Sequence, residues 1–555
     1  MNLTALQQHL RLHPGDAMAW AMLAEALADA GDADAGVQAA QRALALAPGH
    51  PEALARLGYA QWLQGRHAQA VESLHAAALA APRHPGIALW LGHALEDAGQ
   101  AEQAAQAYER AHALAPGEPA IAAHLLAWRR KLCDWRGLDA LSRQVREAVR
   151  QNTAVVEPFA FLSEDATPAE QLRCARLRAH VIAQSIQPMP PAPPRATAVP
   201  LQLGFLSNGF GAHPTGLLTV ALFEALRDAH AQTHVFAINP DDGSDIRQRL
   251  QAATQLHEVS RLSHRATAQA IRDCAIDVLF DLRGWGGGGR PEVLAMRPAR
   301  VQVNWLAFPG TSGAPWIDYV LADAFVLPPA LAPHFSETVL RMPRCFQPSD
   351  TSRRIESPPP RETLGLPAQG TVFCCFNNSY KLNPRSMQRI FSVLRDTPQS
   401  VLWLLSGPGQ ADARLRQAAQ TAGIAPARLV FMPKQPHALY LANLRHADLF
   451  LDTHPYNAHT TTSDALWASC PVLTVPGETF ASRVAGSLNH HLGMEEMNAA
   501  DDTQFVAIAT RLGNSAADLA AAKARLQECK SGSGVFDMQA FAADFLHAAQ
   551  RMAVP

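Results

Sequence analysis

The segment from Asp448 to Val484, DLFLDTHPYNAHTTTSDALWASCPVLTVPGETFASRV, carries the densest chemistry in the chain. It reads strand, loop, helix, strand. His459, Thr460, Thr461 and Thr462 gather hydroxyls and unpaired backbone N–H groups at the start of the helix that holds Ala465, Leu466 and Trp467. A helix N-terminus attracts negative charge through its dipole and its free N–H groups, so this one suits a diphosphate. A single threonine there would be an ordinary cap, but the cluster exceeds what capping requires. Asp464, read as part of the first turn, suits ribose hydroxyls as an acceptor. Neither α/β half contains a D-x-D motif, so the sequence offers no carboxylate pair of the kind that holds a divalent cation against a diphosphate, and no metal is expected.

Such a helix needs a parallel sheet to aim it. From about residue 197, the apolar runs LQLGFL, THVFAI, DVLFDL and VQVNWL alternate with longer helical stretches, as buried parallel strands do. The proline cluster SPPPRETLGLP then introduces a second series, TVFCCF, SVLWLL, RLVFM, DLFL and PVLTV. Two doubly wound domains, 197–360 and 361–530, follow from this, with a ligand cleft between them at the C-terminal ends of their strands. A last helix within 531–555, with apolar spacing from Phe536 to Met552, is expected to pack across both halves. The four glycines at 286 to 289 read as a loop near the cleft, with no ligand assigned.

The first 152 residues follow a different rule. Blocks of 34 residues beginning at Ala17, Pro51, Pro85 and Pro119 align Leu23, Leu57 and Leu91, then Ala24, Gly58 and Gly92, then Gly31, Gly65 and Gly99. Ala43, Ala77 and Ala111 recur later, and Pro48, Pro82 and Pro116 end each second helix. The fourth block keeps helical spacing and loses these landmarks, as a terminal repeat does. These units resemble tetratricopeptide repeats, whose stacked helix pairs form a curved surface suited to an extended peptide or another protein; a spacer or dimerisation arm is the plainer alternative. A helical connector and the linker QPMPPAPPRATAVP, 153–196, join the repeats to the α/β body.

Bulk properties narrow the function classes. A length of 555 residues exceeds one core, and a formal charge of −2 gives no broad footprint for nucleic acid or anionic lipid. No run of about 18 apolar residues suggests a membrane span, and the N-terminus lacks the pattern of a secretory signal. The eight cysteines show no C-x-x-C spacing, and adjacent Cys374 and Cys375 are poorly placed for joint tetrahedral ligation, so they read as reduced core residues. A cytoplasmic protein is expected.

The segments SNGFGAHPTG, FPGTSGAPWIDY, FNNSYKLNP, HTTTSDALWA and PGETFASRV, in this order behind tetratricopeptide repeats, resemble the catalytic region of the O-GlcNAc transferase family. The resemblance spans nearly the whole chain. It implies an N-terminal α-helical repeat superhelix followed by a GT-B glycosyltransferase of two Rossmann-like domains. It also implies UDP-GlcNAc as donor substrate, no metal, and inverting transfer to serine or threonine hydroxyls of proteins recruited by the repeats.

Residue by residue, Lys381 matches the family lysine that contacts the diphosphate and supports the leaving group, an ammonium acting where a metal would. Asn378 stands at a family glutamine beside the phosphates, and Tyr380 at a family tyrosine. His213 matches a histidine beside sugar and acceptor, able to take a proton or to hydrogen-bond the donor. Both Lys381 and His213 are expected in an open cleft, where truncation leaves the fold intact. His180, in the connector helix, matches a second family histidine. Tyr440 falls where the family stacks a histidine on the base, while Gln435 and His437 match nucleotide contacts. Leu306 and Ala307 match the loop lining the GlcNAc pocket. Two positions depart from the pattern: Gly209 replaces an aspartate proposed to move the proton, and Ala212 replaces an asparagine. The general base is therefore open. SPINDLY-type protein O-fucosyltransferases, which use GDP-fucose, share the architecture, and a repeat scaffold with a decayed catalytic body is a third reading.

Overall fold

The computed structural model describes residues 3–192 and 200–553. Residues 193–199, in the later part of the expected proline-rich linker QPMPPAPPRATAVP, lie outside the described residues. The chain divides into two compact units, Met1–Ala148 with Gly407–Arg414, and Val149–Ser406 with Leu415–Pro555.

In the first unit the repeat becomes helix pairs: Ala17–Asp29 with Ala33–Leu46, Pro51–Leu63 with His67–Ala80, Pro85–Asp97 with Ala101–Leu114, and Pro119–Lys131 with Leu138–Gln151. Gly31, Gly65 and Gly99 sit at φ of +89, +74 and +74°, where L-residues are strained. There they turn the chain so that the next N–H closes back on the first helix, as Asp32 does on the Leu27 carbonyl at 2.9 Å. The recurring small residue has a separate cause. A Cβ on Gly58 or Gly92 would meet Leu74 at 2.6 Å or the Tyr108 ring at 2.5 Å, so helix contact requires glycine.

The second unit contains two parallel sheets. The first is built from β1 (Gln202–Ser207), β2 (Gln232–Ala237), β3 (Gln255–Glu258), β4 (Val278–Asp281), β5 (Val301–Asn304), β6 (Tyr319–Asp323) and β7 (Thr338–Met342), in the order β3-β2-β1-β4-β5-β6-β7. The second has β8 (Thr371–Cys375), β9 (Ser400–Leu405), β10 (Leu429–Met432), β11 (Leu449–Leu451) and β12 (Val472–Leu473), in the order β10-β9-β8-β11-β12. Both are doubly wound, so each reverses its strand order beside its first strand, where such sheets open a crevice. Together with the repeats, this is the tetratricopeptide and GT-B architecture the sequence implied. Three strands, β3, β6 and β7, are additional to the apolar runs singled out from the sequence. β3 is a polar edge strand, QLHE, and a 3-10 turn at Pro329–His334 links β6 to β7 with no helix to mark a crossover.

The terminal helix Met538–Ala553 packs on the first sheet. Phe545 lies 4.8 Å from Phe280, 4.9 Å from Trp305 and 6.0 Å from Phe205 between ring centroids, and Arg344 bonds Asp544 at 2.7 Å. Full burial of that phenyl ring contributes about 2–3 kcal/mol, so the end of the chain secures the sheet that precedes it. The two halves are tied by Asp323 at the end of β6, which accepts from Ser487 Oγ at 2.6 Å, and by Arg483, whose Nε donates to the Phe325 carbonyl at 2.9 Å. Among the described residues, no helix is long and apolar enough to cross a membrane.

Candidate functional site

On the first half, β1 runs into a turn at 208–212 and then the helix Pro214–Asp228, with His213 as its N-cap. The turn is held from outside: Ala212 N–H donates to Asp242 at 2.7 Å, and Asn239 bonds both the N–H and the carbonyl of Phe210, at 3.2 and 2.9 Å. His213 Nδ1 accepts the Thr215 N–H at 3.2 Å, and its Nε2 lies 3.4 Å from Arg283 Nη1. Burial and, second, the Arg283 charge push the imidazole down to about 4, so it is neutral at pH 7. A Cβ at Gly209 would stand 2.4 Å from His213 Nδ1, so the family's aspartate cannot share this position with the ring as placed.

Arg283 follows β4, and its orientation depends on the glycine run. Its Nε donates to the Gly287 carbonyl at 2.8 Å, Nη2 bonds the same oxygen, and Asn208 donates to it at 3.1 Å. Gly288 has φ +76°, and a Cβ there would meet Asn208 Nδ2 at 2.3 Å. The four glycines thus aim an arginine. Beyond β5, Leu306 holds φ +80°, a conformation that costs about 1–3 kcal/mol in a branched residue. Such strain persists where the surroundings over-determine the backbone.

On the second half, β8 leads through Phe376–Asn378 into a 3-10 turn, Ser379–Lys381. Lys381 is only 7% exposed, which corrects the expectation of an open-cleft lysine. Its Nζ donates to the Asn457 carbonyl at 2.8 Å and stands 3.8 Å above the Tyr456 ring. Burial lowers it to about 7, against the upward pull of Asp452, itself fully buried and bonded by Thr474 Oγ1 and two backbone N–H groups at 2.7 Å. The helix Thr460–Trp467 starts at the first threonine, with His459 as an N-cap that makes no side-chain cap bond. His459 Nε2–H donates instead to the Ala481 carbonyl at 3.0 Å, while burial and the neighbouring Lys381 hold the ring neutral. Thr461 Oγ1 bonds Asn377 Oδ1 at 3.0 Å.

These elements meet in one cavity of about 340 Å³, lined by His213, Arg283, Leu306, Ala307, Gln347, Asn378, Tyr380, Lys381, His459, Thr460 and Thr461, among others. Nine of the fourteen residues expected from the sequence are therefore together. Arg283 and Gln347 are new to the set. Gln347 is 2% exposed and its Nε2 has no partner, so a buried amide donor waits at the wall. A larger cavity of about 690 Å³, lined by Glu224, Arg344 and Lys530, holds none of the expected residues.

The remaining five stand elsewhere. His180 is exposed on the helix Pro168–Ser185 and bonds Gln184 at 2.9 Å. Asp464 lies beyond the first turn of its helix, a correction to the expected placement, and its Oδ1 is shared by Arg353 at 2.7 Å and His437 at 3.1 Å. That carboxylate is neutralised before any ribose arrives. Tyr440 packs 6.1 Å from His437 and edge-on to Phe376, its hydroxyl buried and unpartnered, and Gln435 precedes the same helix, His437–Leu444. The set stays linked to the cavity through Asp464 and the helix that begins at Thr460.

The cavity is rich in donors and poor in acceptors, and it has a lysine poised near neutrality. An anion bound beside Lys381 favours the ammonium, so binding must take up protons wherever the empty site is deprotonated, above about pH 7. Affinity for a diphosphate anion is expected to fall with rising pH above 7, by up to about tenfold per unit. Titrations at pH 7 to 9 in buffers of different ionisation enthalpy measure this; a flat affinity with no proton uptake would place Lys381 outside the anion's reach.

Comparison with known proteins bears on the family and the fold. A family model described as glycosyl transferase family 41 matches residues 191–357 and 357–545, and one described as tetratricopeptide repeat matches 3–51 and 55–119. The probable UDP-N-acetylglucosamine--peptide N-acetylglucosaminyltransferase SEC of Arabidopsis thaliana is 33% identical over 379 residues, covering 64% of this chain and 39% of that protein. The UDP-N-acetylglucosamine--peptide N-acetylglucosaminyltransferase of Caenorhabditis elegans is 26% identical over 458 residues, 62% of this chain and 40% of that one. The chain therefore matches about two fifths of the length of these relatives. A mutant O-GlcNAc transferase from Thermobaculum terrenum superposes with a TM-score of 0.70 over 97% of both chains, at 25% identity. With its two parallel sheets, its cavity at their carboxyl ends and a family match covering most of its length, this chain belongs to glycosyl transferase family 41.

Proposed function

We propose that the chain transfers N-acetylglucosamine from UDP-GlcNAc to serine or threonine hydroxyls of protein acceptors, with inversion and without a metal ion in the donor site. Residues 1–152 recruit the acceptor, 153–196 connect, 197–360 face the sugar and acceptor, 361–530 hold the nucleotide, and 531–555 brace the first half. The eight free cysteines support a reducing, cytoplasmic setting.

The observation that carries this reading is the placement of Lys381 beside the open start of the helix Thr460–Trp467 in one cavity. As the sugar–phosphate bond breaks, charge collects on the departing diphosphate. An ammonium and a helix N-terminus already fixed in place stabilise it without reorganising. Across the cavity, His213 makes its shorter bond as an acceptor from Thr215, which leaves the ring's proton on Nε2. Arg283 Nη1 is also a donor, and it lies 3.4 Å from that nitrogen. Two donors facing each other call for an oxygen between them, which a sugar or acceptor hydroxyl supplies. His213 acts here as a hydrogen-bond donor rather than as a base.

Calorimetric titration with UDP, GDP and UDP-GlcNAc, with and without a chelator, tests this. Chelator-insensitive UDP binding that weakens in Lys381→Met is expected. Preference for GDP would shift the assignment to fucosyl transfer, and absence of nucleotide binding would leave a repeat scaffold.

A further inference from the structure

We propose that His234, His257 and Cys274 form a zinc site in the first half of the α/β body, separate from the donor cavity. His234 lies on β2 and His257 on the edge strand β3, while Cys274 follows the helix His264–Asp273. None of the three lines the cavity that holds Lys381. His234 pairs in register with Gly204 near the start of β1, toward the opposite end of the strands from the cleft.

The spacing is that of ligands around one small cation. His234 Nδ1 and His257 Nε2 are 3.1 Å apart, Cys274 Sγ is 3.8 Å from His257 Nε2, and all three ligand atoms lie within 4.8 Å of one another. Tetrahedral zinc with Zn–N of about 2.05 Å and Zn–S of about 2.3 Å sets nitrogens about 3.3 Å apart and nitrogen and sulfur about 3.6 Å apart. The His234–His257 and His257–Cys274 separations are within a few tenths of an ångström of these values, and the partly exposed Cys274 side chain turns toward His234 Nδ1 to close the third.

The surrounding bonds also fix which nitrogen is presented. Gln202 Nε2 donates to the Pro200 carbonyl at 3.1 Å, which sets the amide so that its Oε1 accepts from His234 Nε2–H at 3.1 Å. His234 Nδ1 is then bare and directed at His257. A carbonyl oxygen on the far nitrogen is the usual partner of a metal-bound imidazole, fixing both tautomer and ring direction. On binding, His257 moves its proton to Nδ1, and the Cys274 thiol gives up its proton to the solvent and ligates as thiolate. His257 and Cys274 are each partly exposed, which opens a route for the ion and leaves the fourth position to water. Two imidazoles and one thiolate select zinc over magnesium or calcium, which prefer oxygen. The ion would clamp the edge strand β3 to β2 and to the turn after the covering helix.

The test uses the full chain, stripped with chelator and kept reduced. Cobalt is expected to bind at one equivalent with a thiolate-to-metal charge-transfer band in the near ultraviolet, and zinc to displace it. Cys274→Ser should abolish the band, and His257→Asn should weaken cobalt binding at least about tenfold. At equal zinc concentration the thermal midpoint of the parent chain should rise more than that of either variant. Binding without a thiolate band, or equal binding in parent and variants, would overturn the assignment. UDP affinity, measured alongside, is expected not to differ between stripped and zinc-loaded chains, so failure here leaves the donor site untouched.

Discussion

Lys381→Met is expected to lower kcat for sugar transfer by about two to three orders of magnitude, the loss seen when one fixed donor to a developing anion is removed. Methionine is chosen over alanine because the position is buried, and a truncation would add a cavity to the loss of charge. The substitution leaves the Asn457 carbonyl without its 2.8 Å donor, a cost of about 1–3 kcal/mol, while removing an ammonium whose burial the fold opposes. The two effects offset, so the thermal midpoint should change little. Nucleotide affinity should drop less than kcat, because the bond to the diphosphate matters most when the leaving group carries its full charge. The pH dependence of UDP binding above neutrality should vanish with the amine. Single-turnover transfer, with UDP titrations from pH 7 to 9, separates these outcomes; near-parental turnover would remove Lys381 from the mechanism.

The parts of this protein that were legible in its sequence are those whose cause is local. The repeats announce themselves because Gly31, Gly65 and Gly99 must each adopt a left-handed turn and because Gly58 and Gly92 must each admit a neighbouring side chain, so the same residue returns at the same place. The threonines at the start of the helix Thr460–Trp467 are legible for the same reason: a helix terminus and its free N–H groups are properties of a few consecutive residues. Arg283 was not legible. It follows β4 like many surface arginines, and only the fold shows that four glycines behind it turn a carbonyl onto its guanidinium. Gln347 and Asp242 act at a distance in sequence from what they touch, and Asp464 looked like a free acceptor because nothing local reveals Arg353, 111 residues away, against it. Lys381 lines the cavity, but its depth depends on Tyr456 and Asn457 from another loop. The zinc candidate has no sequence pattern at all, since its three ligands come from two strands and a helix end that the sheet alone brings together.

His213→Ala is expected to reduce kcat by about two orders of magnitude, and His213→Asn to recover about tenfold of that loss. The ring cannot serve well as a base at neutral pH. It is held near 4, its Nδ1 is occupied by Thr215, and its remaining nitrogen carries the proton beside the Arg283 guanidinium. A donor role explains the same facts and predicts that asparagine, with an amide N–H but no basic nitrogen, works better than alanine. Were the imidazole a base, the two variants would fail alike. Gly209→Ala gives an independent check on position rather than chemistry, because its Cβ would press within 2.4 Å of Nδ1 and displace a ring whose sequence is unchanged. A displacement near 1 Å at a reacting centre costs about a hundredfold, so this variant should approach His213→Ala in kcat while keeping its nucleotide affinity. If Gly209→Ala instead transfers sugar at the parental rate, His213 is not held by this turn during reaction, and the arrangement of paired donors across the cavity is not the one that binds the reacting hydroxyl.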